Sequence, residues 1–137
     1  MKRIFLVLIS SILLISSCTT SANENNSVES KSSIPEINRD FDFMSDLVEA
    51  LRLNGVDCRN YVQNPDTLFV KEEGTCTYNG IELTLILWGG DQETTRQMVD
   101  SLKAFGGYWL MSNNWVIIVQ NESVAKELTT KLDLEVL

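Results

Sequence analysis

Three cysteines carry the most reactive side chains of this 137-residue chain, and no histidine accompanies them. Without histidine the sequence lacks the usual general base, the usual activator of a serine or cysteine nucleophile and the commonest metal ligand. Two thiolates, Cys58 and Cys76, would leave the ligand shell of a zinc ion incomplete. Gly-x-Ser-x-Gly, P-loop and dinucleotide-binding motifs are absent from the sequence. We therefore expect no catalytic residue, no metal and no cofactor, which leaves acylation and disulfide formation as the chemistry open to the cysteines.

The first 17 residues have the features of an export signal. Lys2 and Arg3 supply a positive start, residues 4–15 form a largely apolar stretch, and Ser16 and Ser17 are the small residues that a signal peptidase needs beside its cleavage site. The apolar stretch is shorter than the ~20 residues that a membrane-spanning helix needs. We therefore predict a cleaved signal peptide rather than a transmembrane anchor.

The run Leu14-Ile15-Ser16-Ser17-Cys18 resembles the lipobox of bacterial lipoproteins. In that family a diacylglycerol is attached to the thiol, and the chain is cut before the cysteine. The resemblance implies a signal peptide over residues 1–17 and a lipid on Cys18, which would anchor the protein on the extracytoplasmic side of the cell membrane. A plain secretory signal followed by a chance cysteine is the alternative.

Export would place Cys58 and Cys76 in an oxidising compartment, where disulfides persist. Since Cys18 would carry the lipid, these two cysteines remain as a pair, and we predict a Cys58–Cys76 disulfide. A bridge over this separation stabilises the folded state by ~3 kcal/mol when its effect is treated as lost entropy of the unfolded chain.

Acidic residues occur in two groups that could be considered as sites. Asp40, Asp42 and Asp46 have a spacing loosely like that of a calcium loop, but they lack its glycine at the sixth position and its distal glutamate. Acids in the first turn of a helix are the favoured interpretation. Glu72 and Glu73 are adjacent, whereas a glycosidase needs its two carboxylates on opposite sides of a cleft. Neither group predicts an enzyme or a metal site.

Removal of residues 1–17 would leave 9 basic and 19 acidic side chains, a net charge of 9 − 19 = −10. This charge argues against a nucleic acid partner, because phosphates attract Lys and Arg. The acidity favours a soluble extracytoplasmic domain or a basic partner. Residues 18–39 are rich in Ser, Asn and Glu, which predicts a flexible tether with an average reach of about 25 Å. Residues 40–137 are long enough for a single domain.

Helical spacing and turn residues divide this domain into helices and hairpins. Apolar residues recur every three or four positions up to Asn54-Gly55, which ends the first helix. Asn79-Gly80 is a strong signal for a two-residue hairpin turn, so Cys76 should lie opposite Leu83. Alternation then places both residues on the core face of this hairpin. We expect the disulfide to join that face to the exit of the first helix.

A hairpin followed by a helix then occurs a second time. Gly89-Gly90-Asp91 is expected to cap a second helix, Asn113-Asn114 to turn a second hairpin, and Asn121 to cap a third helix that ends near Asp133. The prediction is a two-layer α+β domain with an antiparallel four-stranded sheet, in the order α-ββα-ββα. If the four predicted strands are numbered in chain order, a fully antiparallel sheet would need the spatial order 1-2-4-3 or 2-1-3-4. Residues 134–137 could add a short edge strand.

Aromatic side chains provide the one candidate binding surface. The register of the first hairpin sends Ile86 and Trp88 to the face opposite Cys76, and Trp109 of the second hairpin shares that side. We predict that Ile86, Trp88 and Trp109 form an exposed patch that contacts a partner. The alternative is that both faces of the sheet are covered, in which case the three side chains belong to the core.

The motifs Ala50-Leu51-x-x-x-Gly55-Val56-x-Cys58, Gly74-Thr75-Cys76 and Gly106-Gly107-Tyr108-Trp109-Leu110 resemble those of small secreted lipoproteins of Gram-positive, notably actinobacterial, bacteria. The resemblance covers residues 45–120 approximately and carries over no catalytic residue. The expected function is a membrane-anchored, non-enzymatic module that binds a protein or peptide of the cell envelope. Binding of a small ligand or glycan through surface aromatics, or an enzyme of unrecognised type, are the alternatives.

Overall fold

The computed structural model describes Ile34 and residues 36–137. Cys18, the predicted signal peptide and most of the predicted tether lie outside these residues. The elements are α1 (Met44–Leu53), β1 (Arg59–Asn64), β2 (Glu72–Tyr78), β3 (Ile81–Leu87), α2 (Gln92–Leu102), β4 (Tyr108–Ser112), β5 (Trp115–Val119), α3 (Glu122–Leu132) and β6 (Glu135–Val136). A short 3-10 turn, Lys103–Phe105, follows α2.

One antiparallel sheet contains all the described strands, in the order β1-β2-β3-β5-β4-β6. The α+β class with three helices is therefore confirmed. The prediction of four strands is wrong, and the strand order of the whole sheet differs because β1 and β6 extend its two edges. The four predicted strands keep the order 1-2-4-3 among themselves, and β6 is the short edge strand allowed for residues 134–137. β1 escapes a pattern-based prediction because residues 59–64 are mostly exposed on both faces, so no alternation of apolar and polar residues marks the strand.

Helices cover both faces of the sheet. On one face, Leu47 of α1 and Leu128 of α3 share a core with Leu83, Leu85 and Ile117 of the sheet. On the other face, α2 packs against the sheet through a second, smaller core. The predicted two-layer arrangement is therefore wrong, because it placed all three helices on one side.

The first hairpin has the predicted register. Cys76 lies opposite Leu83, and the turn between the strands is made by Asn79 and Gly80, both with positive φ. Cys76 is buried, and the predicted disulfide to Cys58 is present, with the two Cα atoms 5.3 Å apart. Cys58 immediately precedes β1, so the bridge fixes the start of this edge strand to the core face of β2.

The segment before α1 crosses one end of the sheet, which we call the entry end. This end is formed by the start of β2, the end of β3 and the turn between β4 and β5. The Asn38 side chain accepts a hydrogen bond from Ser112 Oγ at 3.1 Å, and Trp115 Nε1 donates to the Arg39 carbonyl at 3.2 Å. The chain therefore enters the domain at the β4–β5 turn and continues to α1 beside β2.

Candidate functional site

The predicted aromatic patch is buried. Ile86, Trp88 and Trp109 are 6%, 3% and 5% exposed, and they pack together with Val99 of α2 in the second core. The expectation of an exposed face is wrong because α2 lies over the part of the sheet where these side chains emerge. The indole N–H of Trp109 donates to the Gly106 carbonyl at 3.0 Å. This face therefore belongs to the interior and provides no contact surface.

A cluster of polar side chains joins α3 to the hairpin turn. Tyr78 Oη donates to Glu127 Oε1 at 2.6 Å, and Lys131 Nζ donates to Tyr78 Oη at 2.8 Å. The hydrogen bond from Tyr78 lowers the pKa of Glu127, with a smaller contribution from Lys131. The hydrogen bond to Tyr78, followed by the hydrogen bond to Glu127, raises the pKa of Lys131. Both groups thus stay ionised at neutral pH, so Lys131 holds its proton and is unsuited to act as a base.

Three of the acidic residues considered in the sequence have structural roles. Glu72 accepts a hydrogen bond from the Met44 backbone N–H at 2.5 Å and so caps α1 from a distant strand, where Phe43 supplies no side-chain cap. Asp46 lies in the first turn of α1, and Asp42 pairs with Lys71 at 3.5 Å. Within residues 36–137, no three His, Cys, Asp or Glu residues come together in a way that could hold a metal ion.

The edge strand β1 has an open backbone edge along its length. It pairs with β2 on one side, and no described strand pairs with its other side. Five of its six residues are exposed, including Val62, which is 64% exposed. Asn60 has positive φ at an irregularity in the pairing, after which Val62 to Asn64 pair in regular register with β2. The free edge therefore presents unpaired backbone groups beside an exposed apolar side chain.

Tyr61 holds β1 against its neighbour. Its ring lies over Gly74 of β2 so closely that a Cβ on Gly74 would stand 2.5 Å from Tyr61 Cε2. Burial raises the pKa of the Tyr61 hydroxyl, and the nearby charge of Glu72 raises it further. With the disulfide at Cys58 and this ring contact, β1 is fixed at its start and at its centre.

The loop between β1 and β2 carries two adjacent exposed apolar side chains. Leu68 and Phe69 are 88% and 82% exposed. Lys71 follows them, donates its backbone N–H to the Leu87 carbonyl at 2.9 Å, and places its Nζ 5.9 Å from the centre of the exposed Phe43 ring. The loop therefore lies at the entry end of the sheet. The apolar run Leu68-Phe69-Val70 after Asn64-Pro65-Asp66 is the sequence signal for this surface.

A shallow groove of about 270 Å³ lies between α3, β4 and β6. Its lining is mainly apolar and includes Tyr108, Ala125 and Val136. Glu122 and Lys126 also line it and form a salt bridge with each other at 2.6 Å. The groove thus offers space and apolar contact to a small molecule.

Comparison of the sequence with protein-family models, with curated proteins and with solved structures finds no match. Every helix in the described part of the chain is too short or too polar to cross a membrane. The surfaces described above are therefore the basis for a proposed function.

Proposed function

We propose that this protein is a lipid-anchored, extracytoplasmic module that binds an extended segment of a partner protein along β1 and performs no covalent chemistry. The observation that carries the proposal is the open edge of β1. A strand edge presents a row of unpaired N–H and C=O groups, and an extended peptide satisfies them by adding a strand to the sheet. Exposed Val62 would contact alternate side chains of that peptide.

The rigidity of β1 favours binding. An edge strand that must first become ordered loses part of its binding energy to that ordering. Here the Cys58–Cys76 bridge and the packing of Tyr61 on Gly74 hold the strand in place before any partner arrives. The free edge is thus preorganised for a partner strand.

The charge of the protein indicates the chemistry of the partner. After cleavage before Cys18 the chain would carry a net charge of −10. A negative domain attracts basic segments and accelerates their association. We therefore propose a basic, extended segment of an envelope protein as the ligand of β1.

Membrane anchoring is tested by replacing the thiol that would carry the lipid. Cys18→Ala should leave the membrane fraction or remain uncleaved, whereas the adjacent control Thr19→Ala should behave like the wild type. Mass spectrometry of the wild-type protein should find an acylated cysteine as the first residue. An unmodified Cys18 in a soluble mature protein would contradict the proposal.

Binding at β1 is tested with the same substitution on both edge strands. Val62 on β1 and Val136 on β6 are 64% and 51% exposed, so a lysine at either position should leave the fold intact. Peptides selected from a random library on the wild-type protein should be basic and extended. Val62→Lys should weaken their binding at least tenfold, about 1.4 kcal/mol, while Val136→Lys should leave it unchanged. Equal binding to both variants would refute the site.

A second candidate is binding of a small apolar ligand in the groove beside Tyr108. The groove itself favours this alternative, although the tryptophans that first suggested it are buried. NMR titration with a library of small apolar molecules distinguishes the two. Shifts confined to Tyr108 and Ala125 would support the groove, and shifts along β1 on adding basic peptides would support strand addition.

A further inference from the structure

Exposed apolar side chains lie at both ends of the domain. Leu68 and Phe69 stand at the entry end, and Phe105, which is 83% exposed, precedes β4 at the other end. Phe105 is a single residue, whereas Leu68 and Phe69 are adjacent on one loop and have the exposed Phe43 at the same end of the sheet. The apolar surface at the entry end therefore needs a specific explanation.

The path of the chain identifies what faces this end. The chain that carries Cys18 joins the domain at the β4–β5 turn, where Asn114 binds both backbone groups of Phe41 at 3.0 and 2.9 Å. The neighbouring Asp42 pairs with Lys71, which closes the loop that carries Leu68 and Phe69. The entry of the chain and the apolar loop thus share one end of the sheet.

The length of the connecting chain favours the same conclusion. From Cys18 to Ile34 there are 34 − 18 = 16 residues. The flexible tether predicted from the sequence would have an average span of about 22 Å over that length. The seven residues of β2 extend for about 24 Å, so the far end of the sheet lies roughly one further strand length from the anchor. A lipid on Cys18 would thus hold the entry end nearest to the bilayer.

We infer that the β1–β2 loop contacts the lipid bilayer, with Leu68 and Phe69 inserted among the headgroups and the upper acyl chains. Apolar side chains gain free energy at this boundary, and two of them give a weak contact that needs a covalent anchor beside it. The contact therefore orients the domain. It also places the start of β1, near the β2–β3 turn, away from the membrane and the end of β1 beside it. This inference rests on the anchoring in the proposed function.

Tryptophan fluorescence in lipid vesicles tests the orientation. Trp88, Trp109 and Trp115 are all buried, so a new surface tryptophan can be resolved against the wild-type emission. Phe69→Trp reports on the loop, and Phe105→Trp is the matched control, since both phenylalanines are more than four-fifths exposed. The full chain is expressed in a bacterial host, purified from the membrane fraction and reconstituted in phosphatidylcholine vesicles with brominated acyl chains, which quench nearby indoles.

The expected result is loss of most of the added emission from Phe69→Trp, with a shift to shorter wavelength, and no quenching of Phe105→Trp. Flotation of the same samples reports anchoring separately. If the protein floats with the vesicles and both variants are quenched equally, or neither is, the loop contact is refuted while anchoring stands. If the emission of Phe69→Trp shifts only when a basic peptide is added, the membrane contact of the loop is refuted in favour of a protein contact. Failure to float would refute the anchoring and this inference together.

Discussion

Asn114 provides the sharpest test of how the chain is held at the entry end. Its buried side chain lies in the β4–β5 turn and hydrogen-bonds to both backbone groups of Phe41, as a neighbouring strand would. Oδ1 accepts from the Phe41 N–H at 3.0 Å, and Nδ2 donates to the carbonyls of Phe41 at 2.9 Å and Trp88 at 3.4 Å. Asn114→Asp keeps the shape and the acceptor but replaces the donor with a second oxygen.

The expected loss of stability follows from these contacts. Each lost hydrogen bond contributes ~1 kcal/mol, and a carbonyl left buried without a donor adds ~1–3 kcal/mol. We therefore expect Asn114→Asp to lower the free energy of unfolding by about 2–4 kcal/mol at pH 7. Burial and the two facing carbonyls raise the pKa of the new carboxyl in the folded state. The loss should be smallest below the unfolded pKa of ~3.9 and should grow as the pH rises to the folded value.

Urea unfolding at pH 7 and at pH 3.5, followed by circular dichroism, measures both effects. Asn113→Asp is the matched control, because Asn113 lies in the same turn, is only partly buried and donates only to Ser112 Oγ at 3.1 Å. Aspartate also tolerates the positive φ of this position. Equal stabilities of the two variants at pH 7, or a loss at position 114 that does not depend on pH, would refute the reasoning.

Three further predictions concern stability. Replacing both Cys58 and Cys76 with serine should lower the free energy of unfolding, measured in urea, by ~3 kcal/mol. An unchanged urea midpoint would contradict the stabilising role of the disulfide. Trp88→Ala should lower the free energy of unfolding by ~3–5 kcal/mol because the side chain is buried under α2. The control Phe105→Ala should change stability little. Similar losses of stability in the two variants would place Trp88 on the surface. The lowered pKa of Glu127 stabilises the fold above the ordinary carboxyl pKa of 4.5, and this contribution is lost as the pH falls through the folded value. Glu127→Gln should therefore flatten the acid side of the stability profile, and a profile identical to the wild type would argue against the Tyr78 contact.

The sequence alone determined the features that depend on neighbouring residues. Asn79-Gly80 favours positive φ at both turn positions, so the register of the first hairpin and the core face of Cys76 followed directly. The three helices followed from apolar spacing, and Asp91 and Asn121 each accept a backbone hydrogen bond as caps of α2 and α3. Cys58 and Cys76 were paired because no other partner remained for either in an oxidising compartment.

Only the tertiary structure decided which surfaces are free. Alternation along the strand places Trp88 on the face opposite Cys76. It does not show whether that face is exposed or covered by α2, because the pattern of a strand gives the side of each residue and not what packs against it. β1 has no pattern of its own, since an edge strand with both faces exposed is held by backbone pairing to β2 and by the contact of Tyr61 with Gly74. Leu68 and Phe69 look like core residues in the sequence, and their exposure depends on the ends of the loop, which are fixed by residues distant in the chain. Local propensities thus specify elements and turns, whereas the exposure of each face depends on long-range packing that no short window of sequence contains.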